Sequence, residues 1–107
     1  MSAHLIVRAI VADSRHRRDF DTWYRDDHMA QVIEHFDLVR CWRSWSVLDP
    51  SVHYACYEFS DIADLQAMMN TATFSELVED FSRTWDGKVT RERDLIASVQ
   101  VHDHHSI

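Results

Sequence analysis

Ala3-His4-Leu5-Ile6-Val7-Arg8-Ala9-Ile10-Val11-Ala12 reads as a β-strand with two unlike faces. It is rich in β-branched residues and holds no Gly or Pro. A strand's period of two puts Leu5, Val7, Ala9 and Val11 on one side and His4, Ile6, Arg8 and Ile10 on the other. The first side is apolar throughout and calls for helices to cover it. The second mixes polar with apolar groups, as the wall of a pocket does.

Beyond this strand, Asp13 and Ser14 are suited to cap a helix. Its first apolar positions, Phe20, Trp23 and Tyr24, share one face. Met29, Val32, Ile33 and Phe36 share another, nearly opposite at about 100° per residue. One straight helix cannot bury both, so the spacing predicts a stop or kink near His28 and Met29. That places His28 near a helix C-terminus, beside the buried face.

Leu38 to Leu48 and Val52 to Phe59 follow as two strands, joined as a hairpin by the turn residues Asp49, Pro50 and Ser51. Ser60 or Asp61 can cap a helix carrying Ile62, Leu65, Met68 and Met69. Thr73-Phe74-Ser75-Glu76 has capping-box spacing and predicts a second helical piece. Phe74, Leu77, Val78, Phe81 and Trp85 give that piece one apolar face, and Gly87 suits its C-terminal cap. A last strand is expected from about Val89 to Val101, with Leu95, Ala97, Val99 and Val101 on a dry face. The order β-α-β-β-α-β is the split βαβ, or ferredoxin-like, arrangement: α+β, with an antiparallel sheet and both helices on one side. The uncovered side would carry Ile6, Ile10 and several aromatics. An apolar sheet face of that size does not stay in water, so a second copy is expected to cover it.

The 107 residues fit one domain. At 46% hydrophobic and 27% charged the chain reads as globular, and one Gly and one Pro argue against a loop-rich scaffold. A net charge of −7 disfavours nonspecific nucleic-acid or anionic-membrane binding. The short basic run Arg15, Arg17 and Arg18 is balanced by Asp13, Asp19 and Asp21. Cys41 and Cys56 sit in apolar strands without a Cys-x-x-Cys pair, which suggests buried, inert thiols in a reducing compartment. No stretch approaches the roughly 18–20 apolar residues of a membrane span. No signal peptide is expected in Met1 to Ala12, and a cytoplasmic location follows.

Phe20-Asp21-Thr22-Trp23-Tyr24-Arg25-Asp26-Asp27-His28-Met29 resembles a motif of the dimeric α+β barrel superfamily, particularly its EthD-like branch: an aromatic, then Trp-Tyr, an acidic pair and His. Leu38-Val39-Arg40 and Tyr57-Glu58-Phe59 resemble that branch's second and third strands. Met29-Ala30 stands where relatives often carry Ile-Pro, and Phe36-Asp37 where they often carry Pro-Gly, so the connection is expected to be more helical. The resemblance implies a homodimer and a pocket for small aromatic or polyketide-like molecules. Relatives include cofactor-independent monooxygenases, cyclases, isomerases, haem enzymes and proteins with no known reaction, and fold does not choose among them.

His28 is the first candidate for chemistry. It can act as general acid or base near neutral pH, or hydrogen-bond free carbonyls at a helix end. Tyr24, one turn earlier, could share a substrate oxygen. His4 projects onto the presumed pocket face and resembles the strand-one His of plant-type cyclases in the same superfamily; solvation at the sheet edge is the other reading. Arg8, on that face, either holds a substrate carboxylate or phenolate or pairs with a carboxylate such as Glu58. Arg40 and Trp42 share one face of the second strand, with Cys41, Arg43 and Trp45 on the other. The first pair is assigned to the pocket because Arg40 matches the family. Trp23 or Trp42 would pack a ring. His102, Asp103, His104 and His105 lack the spacing of common structural zinc sites, and no metal or tightly bound cofactor is expected. There is no Gly-rich phosphate loop and no Gly-x-Ser-x-Gly turn. The leading expectation is an enzyme acting on a hydrophobic, oxygenated metabolite, with His28 moving a proton and Tyr24 and Arg40 steadying oxyanion charge. The rivals are a non-catalytic dimeric binding domain and a haem-binding protein.

Overall fold

The computed structural model describes residues 1–103. Four antiparallel strands form one sheet: β1 (Ala3–Ile10), β2 (Arg40–Trp45), β3 (Val52–Phe59) and β4 (Thr90–Ala97), in the order β2-β3-β1-β4. After β1 a single 3-10 turn (Ser14–His16) leads into α1 (Arg17–Trp23), a π-helical turn (Tyr24–His28) and α2 (Met29–His35). After β3 come α3 (Ile62–Met69) and α4 (Ala72–Thr84). The ferredoxin-like arrangement is therefore present, with the helices on one side of the sheet.

Register assigns every strand residue a side. Leu5 pairs with Tyr57 and Leu95, while His4 pairs with Glu58 and Ile96. Glu58 in turn faces Arg40 across the β2–β3 ladder. Leu5, Val7, Ala9, Ala55, Tyr57 and Phe59 thus lie on the helix side, and all are buried. They meet Phe20, Leu65, Leu77 and Phe81 from the helices to form the core. His4, Ile6, Arg8 and Ile10, the opposite face of β1, are all partly exposed.

The expected stop near His28 is replaced by a change of pitch. Trp23 to Met29 contains neither Gly nor Pro, so helical hydrogen bonding continues; the Met29 N–H bonds to the Tyr24 carbonyl, five residues back. One extra residue in the turn sets the helical phase back by about one residue's rotation, roughly 100°. Phe20, Tyr24, His28, Met29 and Val32 consequently all face the core. Ile33, expected inside with them, is 59% exposed.

The ends of elements also correct the expectations. Asp13 caps the 3-10 turn by accepting the Arg15 N–H. Asp61, not Ser60, caps α3. Thr71 caps α4 by accepting the Phe74 N–H, two residues before the capping box expected at Thr73. The Asp49 carboxylate accepts from the Ser51 N–H and hydroxyl, closing the hairpin turn around Pro50. Gly87 takes φ +71, the left-handed conformation that turns the chain after α4. β4 stops at Ala97 rather than Val101, and the dry face does not form: Leu95 is 38% and Val99 94% exposed. β4 is an edge strand, and its residues from Glu92 to Ala97 are exposed. Cys41 and Cys56 occupy opposite faces, since Cys41 pairs with Tyr57 and Trp42 with Cys56, so their side chains cannot meet. Burial pushes both thiols' pKa up. No helix among the described residues is long and apolar enough to cross a membrane.

The π turn makes a direct prediction. Val32→Ala should cost roughly 2 kcal/mol in urea unfolding, the loss expected of a buried side chain. Ile33→Ala should stay within about 0.5 kcal/mol. The reverse ranking would mean a helix of uniform pitch.

Candidate functional site

The π turn carries His28 into the space between the helices and the sheet. There it is 7% exposed, stacked on Trp23 at 4.9 Å and meeting the edges of Tyr24 and Phe81. Its Nδ1 is buried without a hydrogen-bond partner among the described residues. Burial holds the ring's pKa down to about 4, and the positive charge of Arg91 acts in the same direction. His28 is therefore neutral at physiological pH, and its side chain makes no capping hydrogen bond.

The ring lines a recess with Leu5 and Tyr57 from the sheet and Val32, Phe36 and Phe74 from the helices. Met68, Leu77 and Val78 complete its apolar wall, and Arg91 and Arg93 of β4 supply its charge. The recess measures about 410 Å³ including its open mouth.

Tyr57, not Tyr24, lines this recess. The Tyr24 hydroxyl stands behind it, 2.7 Å from the Tyr57 hydroxyl, both fully enclosed. Burial raises both phenols well above their ordinary pKa, so each is a neutral O–H at working pH. Farther along the same side, Asp21 accepts from Arg43 and from the Trp45 indole, both at 2.8 Å. Burial works against the Asp21 carboxylate, but these hydrogen bonds outweigh it and keep its pKa low. Arg43 also lies 3.3 Å from Nε2 of His53, a fully buried ring against Phe20, Tyr24 and Trp45. Burial holds His53 down to about 4 as well, again with help from a neighbouring guanidinium.

His4, Arg8, Arg40 and Trp42 were expected to share a wall with His28; the register puts them on the other side of the sheet. There Glu58 accepts from Arg40 at 2.6 Å and lies 3.6 Å from His4. The Arg40 hydrogen bond holds the Glu58 carboxyl below its ordinary range. His4 meets the edge of Trp42, and Arg40 lies 5.8 Å from the same indole. Arg8 does not pair with Glu58: it sits four residues from His4, opposite Tyr54 and Glu92. Trp23 stays with His28, but as a packing partner within the core layer. The seven residues selected from sequence divide into two groups: His28, Tyr24 and Trp23 on the helix side, and His4, Arg40 and Trp42 around Glu58 on the other, with Arg8 apart. Tyr57, Arg91 and Arg93 were missed. The alternation that sorts Leu95 to the helix side, carried back two and four residues, would have found both arginines. His102 is exposed, and His104 and His105 lie outside the described residues. Among the described residues no group of His, Cys, Asp and Glu is placed to hold a metal.

The sheet, its one-sided helices and the recess between them are the dimeric α+β barrel fold, the fold of antibiotic biosynthesis monooxygenase and EthD proteins. Three solved structures of 12–22% identity carry the comparison. HapK from Hahella chejuensis is 22% identical over 98% of both chains, with a TM-score of 0.69. An ethyl tert-butyl ether D (EthD) family protein from Bacillus halodurans is 17% identical over 92% of this chain and all of its own, with a TM-score of 0.72. SnoaB, a cofactor-independent oxygenase from Streptomyces nogalater, is 12% identical over 94% of this chain and 95% of its own, with a TM-score of 0.70. No family model and no curated protein matches the sequence.

The two buried histidines make stability depend on pH. Both pKa values lie near 4 in the folded chain, against 6.5 when exposed. Between these limits the unfolded chain binds more protons, so stability is full above about pH 6.5 and falls as pH drops toward 4. Urea unfolding from pH 7 to 4.5 should show a slope of up to two protons, and His28→Gln should reduce it by about one. A flat profile would mean that neither ring is held neutral by burial.

Proposed function

We propose that the recess binds a small hydrophobic, oxygenated metabolite and that His28 removes a proton from it. One observation carries this reading: a neutral, desolvated imidazole with an unpartnered Nδ1 lines an apolar recess, and Tyr57, whose hydroxyl is paired with that of Tyr24, lines the same recess. An imidazole in that state accepts a proton without first losing one. With a pKa near 4 it is a weak base, so it suits an activated C–H or O–H beside a carbonyl or on an electron-rich ring. Tyr57, its hydroxyl oriented by Tyr24, donates to the oxygen on which negative charge collects. Electron-rich enolates and phenolates react with dioxygen without a metal or flavin. The same proton transfer therefore serves an oxygenase, a cyclase or an isomerase, and the shared fold of the cofactor-independent oxygenase SnoaB supports the first. The recess is narrow, so side chains of its wall must turn aside to admit a ring.

The test needs no knowledge of the natural substrate. 2-Tetralone is apolar, bicyclic and carries acidic C–H groups beside its carbonyl. In deuterium oxide the chain should accelerate exchange at those positions, followed by proton NMR. His28→Gln should lower the acceleration at least 100-fold, and the rate should be flat from about pH 5 to 8. Binding of tetralone without acceleration would favour the non-catalytic binding domain; a Soret absorbance in purified protein would favour haem.

The uncovered side of the sheet supports a homodimer. Trp42 and Ile96 are 41% and 43% exposed there, and Ile6, Ile10 and Tyr54 remain partly open. A second copy placed face to face would cover them and enclose Glu58 with its partners. Light scattering should give twice the chain mass, and Trp42→Asp should shift the species toward monomer while circular dichroism stays unchanged. A wild-type monomer at high concentration would overturn this assembly.

A further inference from the structure

Arg91 and Arg93 stand two residues apart on the helix side of β4, and both line the recess. Among the described residues neither has a carboxylate within salt-bridge distance; the ion pairs there belong to other cations. Arg91 is half-buried nonetheless. Its guanidinium lies 3.8 Å from the centre of the Phe81 ring. Nη2 alone is engaged, with the Val78 carbonyl at 3.1 Å and the Ser82 hydroxyl at 3.4 Å. Nε and Nη1 make no hydrogen bond among the described residues. Arg93 is exposed at the mouth, 5.7 Å from the Phe74 ring. The two cations repel each other, which adds to the burial that already disfavours charge on Arg91.

A partly desolvated guanidinium without a counter-ion is unfavourable in an empty site. Here one edge is anchored to the protein, the plane is fixed by an aromatic ring, and a second cation stands beside it. That leaves a held cation with free N–H donors at Nε and Nη1, and a second positive charge beside it, to meet an anion. His28, neutral, adds no competing charge, and the rest of the wall is aliphatic and aromatic.

We infer that the recess selects ligands bearing an acidic group, a carboxylate or an acidic enol or phenol, on a flat apolar body, with Arg91 and Arg93 holding the anion. This inference deepens the function proposed above and rests on the recess being the ligand site. It also gives the two ends of the ligand different tasks: the anion is fixed at β4, and the body lies toward His28 and Tyr57.

Paired probes separate charge from shape. Calorimetric titration with 2-naphthoate and with its neutral isostere 2-naphthamide at pH 7 should show the acid binding at least tenfold more tightly. Arg93→Gln and Arg91→Met should each shrink that ratio toward one while binding of the amide changes less than threefold. Arg91→Lys should recover part of the ratio, because the charge returns without the planar guanidinium's fixed donors. Equal affinity for the two probes, or a ratio that survives the double Arg91→Met and Arg93→Gln variant, would overturn the anion assignment and leave the recess as a ligand site. Failure of both probes to bind would overturn both readings.

Discussion

The constraint on which this structure depends is a phase conflict within one helix. Phe20 and Tyr24 must reach the core from α1, and Met29 and Val32 must reach it from α2, yet their spacing in a uniform helix points them apart. Five residues of wider pitch, Tyr24–His28, remove the conflict. The cost is an irregular turn, and irregular turns of this kind recur at functional sites. Here the residue that ends the turn is His28, so the device that joins the two halves of the core also delivers an imidazole to its interior.

The same side of the sheet concentrates polarity in an unusual way. Tyr24, Tyr57, His28, His53, Arg43, Arg91 and Asp21 all approach or enter an aromatic layer built from Phe20, Trp23, Trp45, Phe81 and Trp85. Some of these groups satisfy one another, as the tyrosine pair and the Asp21–Arg43–Trp45 cluster do. Others do not: Nδ1 of both histidines is unpartnered. Buried polar atoms without partners oppose folding. Of the two histidines, His28 lines the recess, and that is the physical basis for reading the recess as a site.

Much of the fold was legible because strand alternation and helix periodicity act locally. The two faces of β1 follow from eight residues, and the hairpin follows from Asp49, Pro50 and Ser51. The pitch change was legible only as a conflict; nothing in Tyr24 to Met29 distinguishes a wider turn from a break, because the outcome depends on what the core will accept. The site was less legible. Which face of β2 meets the helices is decided by pairing with β3, and pairing is a long-range fact, so Arg40 was chosen where Arg43 belongs to the helix side. Arg91 and Arg93 lie in Thr90-Arg91-Glu92-Arg93-Asp94, a run whose composition reads as surface. Only its continuation into Leu95 assigns the arginines inward and Glu92 and Asp94 outward.

That run has a further consequence. β4 and β2 are the two margins of the sheet, each with backbone groups open on one side. Along Thr90 to Asp94 the margin alternates cation and anion, and a like strand laid alongside in parallel register would set each charge against its own kind. Such a border discourages the stacking of extended chains from which fibrils grow. The protection lapses after Asp94, where Leu95, Ile96 and Val99 stand exposed. If a partially opened chain associates wrongly, the stretch after Asp94 is where strand will meet strand.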